Sequence, residues 1–218
     1  DDSRHWLQTE SVWASIREGI VSVWSNVGLR VLFLVTIAVN VLVNGPILVG
    51  IPVLADTRFP EGAAAFGILM SAYGGGNLLG TILAGALPRP KTKSMGLFML
   101  AIISILGIGV MLLGVSLSLS FSFVVALGMG VANGYVTILF ITWLQSQTPK
   151  NMLGRLMSLL MFAAVGLNPI SMALSGFFMK LDPTATFVAA GAIMTAIVLL
   201  AGFKSEARAM KMTIYETE

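Results

Sequence analysis

The sequence has no cysteine, one histidine and few charges. Of its 218 residues, 13 are Lys or Arg and 10 are Asp or Glu, so 11% are charged, against about 25% in a soluble domain. So few charges cannot solvate a water-facing surface, and a soluble fold is excluded. Without cysteine there is no disulfide framework, no thiolate metal site and no cysteine nucleophile. The single His5 lies near the start, outside any apolar run, so no histidine metal site or catalytic centre is expected. The net charge of +3 has no accompanying basic patch interleaved with aromatics, so no nucleic-acid partner is expected. Basic loops facing the cytoplasm account for it better.

What is present is apolar. Ala, Val, Ile, Leu, Met, Phe, Trp and Tyr make up 56%, and the mean hydropathy is +0.91. Residues 31–55, 62–88, 94–149, 156–179 and 183–203 carry no charge. The stretch from Ser94 to Pro149 would be roughly 84 Å long as one helix, against a hydrocarbon core of about 30 Å. It must fold back, and Ser116-Leu117-Ser118-Leu119-Ser120 is the natural turning point. Runs such as Ile102-Ile103-Ser104-Ile105-Leu106 lack the period-two alternation of barrel strands. The expectation is an all-α membrane protein with six transmembrane helices near 29–53, 63–87, 95–115, 121–145, 154–179 and 184–203.

The basic residues orient the bundle. With the N-terminus inside, Arg4, Arg17, Arg30, Arg89, Lys91, Lys93, Lys150, Arg155, Lys204, Arg208 and Lys211 are cytoplasmic, leaving Arg58 and Lys180 outside. Both termini are then cytoplasmic. Residues 1–28 read as an amphipathic linker helix, with Trp6, Trp13, Ile16, Ile20 and Trp24 on one face. No apolar core or small-residue cleavage site of a signal peptide follows Arg4. Residues 29–203 form the six-helix unit, and 204–218 a cytoplasmic tail.

Apart from Arg30 and Arg155 at the span ends, no Asp, Glu, Lys, Arg or His falls inside the expected spans; their polar groups are amides and hydroxyls. Asn40 and Asn44, Tyr73 and Asn77, and Asn133 and Thr137 are each four apart, on one helical face. Tyr135 lies beside the third pair, and Asn168 and Ser171 follow in the fifth span. The third and sixth spans offer little beyond Ser104 and Thr195 and are expected to face lipid. An amide in hydrocarbon costs several kcal/mol unless hydrogen-bonded or hydrated. Two readings follow: the amides join helices, or they line a polar cavity, and their concentration in four spans favours the cavity. Pro46 and Pro169 are candidate hinges. Gly76 with Gly80, and Gly130 with Gly134, read as helix-packing pairs. The order polar, polar, apolar occurs twice, as expected of two inverted three-helix repeats.

Three segments carry a resemblance. Arg17-Glu18-Gly19 with Leu29-Arg30, the short basic Arg89-Pro90-Lys91-Thr92-Lys93, and Gln147-Thr148-Pro149-Lys150-Asn151-Met152-Leu153-Gly154-Arg155-Leu156-Met157-Ser158 together resemble the C-terminal half of a major facilitator superfamily transporter. The last is similar to the loop between the tenth and eleventh helices of bacterial drug, macrolide and siderophore exporters. Gly166, Pro169 and Gly176 are spaced somewhat like the family's antiporter motif, which belongs to its fifth helix. The resemblance implies proton-coupled efflux of a small amphipathic molecule by alternating access, from a bacterial inner membrane. It implies a cavity between this bundle and a missing N-terminal six-helix half, which would carry the proton-coupling acid. Asn40, Asn44, Tyr73, Asn77, Asn133, Tyr135, Thr137, Asn168 and Ser171 would line that cavity. Arg89, Lys91, Lys93, Lys150 and Arg155 would set topology or close a cytoplasmic gate. No cofactor and no metal are expected.

Two other classes stay open. Asn44-Gly45-Pro46 and Asn168-Pro169-Ile170 loosely resemble the paired loops of water channels, and a non-transporting scaffold needs no site at all. An intramembrane enzyme is not expected, since the spans contain no Asp pair, no His ligand and no His beside a Ser.

Overall fold

The computed structural model describes residues 24, 27–87, 95–147, 153–154, 157–158, 161 and 165–203. Among them there is no strand. Hydrocarbon offers backbone groups no partners, so a spanning chain closes its hydrogen bonds within a helix. The elements are α1 (Val27–Val39), π1 (Asn40–Asn44), π2 (Pro46–Gly50), α2 (Ile51–Arg58), α3 (Ala63–Ala86), α4 (Met95–Val115), α5 (Leu119–Gln147), α6 (Asn168–Leu181) and α7 (Pro183–Phe203). The first four join end to end into one rod. Five helical stretches among the described residues are long and apolar enough to cross a membrane: Phe33–Arg58, α3, α4, Leu119–Ser146 and Pro183–Gly202.

The helix breaks have local causes. After Phe59, Gly62 takes φ +52, a left-handed conformation that costs glycine little, and its N–H donates to the Phe59 carbonyl at 3.1 Å. The expected turn at Ser116 lies between α4 and α5. There Ser122 Oγ donates to Ser116 Oγ at 2.7 Å, and Ser116 Oγ to the Ser118 carbonyl at 3.1 Å. Asp182 separates α6 from α7. Its Oδ1 accepts the Ala185 N–H at 3.0 Å ahead of Pro183 at the first helical position, a favoured helix start.

Several boundaries differ from the sequence expectation. The first rod runs on to Arg58 instead of ending at residue 53, because Asp56 and Arg58 continue the helix past the apolar stretch. Leu167 interrupts the fifth span, and α6 begins afresh at Asn168 with Pro169 in its first turn. The third span is not simply a lipid-facing helix. One stripe of α4 (Leu97, Ala101, Ile105, Ile108, Leu112) is exposed, while Met95, Met99, Ile103, Leu106, Val110 and Leu113 are core. Being apolar all round, α4 can serve lipid and protein alike. The expected linker helix over 1–28, apart from its last residues, and the tail 204–218 lie outside the described residues.

Close backbone approach at glycine joins the helices. Gly76 and Gly80 of α3 meet Gly130 and Gly134 of α5: a methyl on Gly80 would overlap the Val131 carbonyl, and one on Gly134 the Asn77 carbonyl. Gly107 of α4 and Gly191 of α7 form a second seam, which adds Thr195 and Met111. Gly45 of the rod accommodates Ser171 and Ser175 of α6, and Gly50 accommodates the Phe187 ring. Lipid is as apolar as the helix surface, so packing contact of this kind drives association.

Arg58 ties three helix ends together. Its Nη1 donates to the carbonyls of Gly114 at 2.7 Å and Ser116 at 3.0 Å, and its Nη2 donates to the Thr184 hydroxyl. The first two acceptors are at the C-terminal end of α4, where unpaired carbonyls favour a cation.

Two predictions follow from this packing. Gly80→Ala and Gly134→Ala should each abolish the monodisperse peak in detergent gel filtration, since the obstructing atoms are backbone. Gly85→Ala, which meets nothing within 4 Å, should leave the peak unchanged. Arg58→Ala should cost about 2 kcal/mol, a fall of roughly 4–8 °C in the melting midpoint. Arg58→Lys should restore only part of it, because an ammonium lacks the planar fork that reaches three acceptors.

Candidate functional site: an amide-lined crevice

The rod's polar residues come from its π turns. Asn40 is only 6% exposed, and both ends of its carboxamide are engaged along its own helix. Its Nδ2 donates to the Thr36 carbonyl at 2.9 Å, and its Oδ1 accepts from Asn44 Nδ2 at 2.9 Å. Among the described residues, the half-buried Asn44 keeps its Oδ1 and one N–H uncommitted, since a carboxamide has two donors and a two-lone-pair acceptor.

These residues form one wall of a crevice of about 310 Å³. The rod supplies Val35, Thr36, Val39, Asn40 and Asn44; α4 supplies Met99 and Ile103; α5 supplies Asn133, Val136, Thr137, Phe140 and Ile141; Met157 and Met161 complete it. Thr137 donates to the Asn133 carbonyl at 2.7 Å, as a helical threonine can, so its oxygen can still accept. The Asn133 carboxamide has no hydrogen-bond partner among the described residues. The crevice thus sets two uncommitted amides, Asn44 and Asn133, in an apolar surround without a charged side chain. Mostly apolar walls with a few placed polar groups suit a small amphipathic ligand, and the methionines can adapt to its shape.

Four of the expected cavity residues, Asn40, Asn44, Asn133 and Thr137, line this crevice. The others sit elsewhere. The Tyr73 and Asn77 backbones form the α3–α5 seam against Gly130 and Gly134, and Asn77 also accepts a bond from Thr81 at 3.0 Å. Tyr135 stacks edge-on against Phe98, centroids 6.0 Å apart. Ser171 backs the rod, donating to the carbonyls of Asn40 at 2.9 Å and Val41 at 3.1 Å. Asn168 keeps a buried Oδ1 without a hydrogen-bond partner among the described residues. Pro46 is buried at the start of π2, and Pro169 is exposed in the first turn of α6. Arg89, Lys91, Lys93, Lys150 and Arg155 lie outside the described residues.

Sequence reasoning missed the crevice's apolar half. A search for polar side chains passes over Met99, Ile103 and Phe140, whose role comes from position alone. It also treated Arg58 as a marker of orientation, although a lone arginine beside an uncharged span is a natural clamp. Nor does any residue pattern announce a π turn, though Gly45-Pro46 between two asparagines marks an irregular stretch. No family model, curated protein or solved structure matches the chain.

Proposed function

We propose that this chain is one six-helix bundle of a secondary active transporter of the major facilitator type, exporting a small amphipathic molecule by alternating access. The crevice carries this reading: Asn44 and Asn133 offer uncommitted amides from two facing helices, in an apolar, methionine-lined setting within a bundle of membrane-length helices. The exposed Thr137 and Met161 at its rim suit a cavity completed by a second bundle. Among the described residues the crevice lining has no ionisable group, and proton coupling is assigned to that second bundle.

The same reading places the protein in a bacterial inner membrane with both termini in the cytoplasm. Residues 1–28 act as an amphipathic helix at the inner surface, and two inverted three-helix repeats build the bundle. The basic segments at Arg89–Lys93 and Lys150–Arg155 face the cytoplasm as topology or gate residues. The chain acts without catalysis, cofactor or nucleic acid.

Efflux of a macrolide from cells expressing the full gene, with and without a protonophore, tests this. Energy-dependent efflux is expected. Asn133→Ala should lower it up to about tenfold through loss of one hydrogen bond. A cysteine at Thr137 should react with a thiol reagent and be protected by the macrolide, with no native thiol to interfere. Osmotic swelling of vesicles without energy-dependent efflux would favour a channel and sink the transporter reading.

A further inference from the structure

The rod departs from α geometry only between Asn40 and Gly50, in two π turns separated by Gly45. A π turn aims the carbonyl of residue i at the N–H of residue i+5, one place further than an α turn. For Val41 that place is position 46, and Pro46 has no N–H to give. The Gly45 N–H, which would serve Val41 in an α register, points in the π register at Asn40. In the π register, then, position 46 offers the Val41 carbonyl no N–H.

A neighbouring helix supplies a donor. Ser171 of α6 is 1% exposed, and its hydroxyl reaches the Val41 carbonyl at 3.1 Å and the Asn40 carbonyl at 2.9 Å. It comes this close because residue 45 is glycine: any Cβ there would collide with Ser171 Oγ. The α alternative is blocked by the proline ring, which would press on the Leu42 carbonyl four residues back. Ser171 itself is buried, and a carbonyl left unpaired in an apolar setting is costly.

We propose that Ser171 is a positioning residue: its hydroxyl replaces the donor that Pro46 lacks, and so acts with the bar that Pro46 places on the α register to hold the rod in the π register that turns Val35, Thr36, Val39 and Asn40 into the crevice. The outer end of the rod cannot turn, because Arg58 is bonded to α4 and α7 and Gly50 lies against Phe187. A change of register is therefore taken up by the inner segment. Each residue of register lost rotates it by about 100°.

A double-mutant cycle on the full chain tests this. In the wild-type background Ser171→Ala should lower the melting midpoint by roughly 5 °C. With Pro46→Ala also present, residue 46 or 45 can serve Val41 in either register, and the loss should fall to less than half. If Ser171→Ala alone does not fold, recovery of folding in the double variant is the corresponding result. The second readout is thiol labelling of single cysteines placed in turn from Val35 to Val39. Reactivity at positions 35, 36 and 39 should persist in Pro46→Ala and pass to 37 and 38 when Ser171→Ala is added to it, because only then is the α register both open and unopposed. Equal losses in both backgrounds, or an unchanged labelling face, would overturn the proposal.

Discussion

Hydrocarbon leaves no backbone carbonyl or N–H to be satisfied by water, and the structure depends on that constraint. It makes every described span a helix and confines the turns to the ends of the apolar stretches. It also explains the side chains that reach across the bundle. Arg58 takes carbonyls at the end of α4, and Ser171 takes one that a proline cannot serve. Each sits where the regular helical ladder runs out.

With the backbone satisfied internally, the helices have little hydrophobic reason to associate, and glycine geometry takes over. The α3–α5 and α4–α7 seams bring main chains to contact distance at Gly80, Gly134, Gly107 and Gly191. Such seams use up helix faces. The α3 face bearing Tyr73 and Asn77 has its main chain committed to α5, and those two side chains stay out of the crevice. The crevice forms instead where the rod, α4 and α5 stand further apart, around Asn44, Met99 and Asn133. Packing and binding surfaces are thus complementary consequences of where the small residues fall.

Most of the helix count and several ends were legible in the sequence. The Ser116 turn and the breaks near Pro60 and Asp182 follow from runs of uncharged residues ended by polar or helix-breaking ones. Pairs such as Asn40 with Asn44 could be placed on one face from spacing. The site was only half legible. Spacing says which residues share a face, but not which faces meet, so Asn77 and Asn133 looked equivalent until the packing separated them. The apolar members of the crevice were invisible for the same reason: nothing distinguishes Met99 from Met95 except where each points.

Sequence alone determined the apolar character, the helical class and the scarcity of charge in the spans, because each follows from composition and local periodicity. Tertiary structure decided which amides remain free, which glycines are seams, and that the first rod holds a π register beside Ser171. Those outcomes depend on contacts between residues as distant as Val41 and Ser171 or Arg58 and Thr184, and no local pattern encodes a partner more than a hundred residues away.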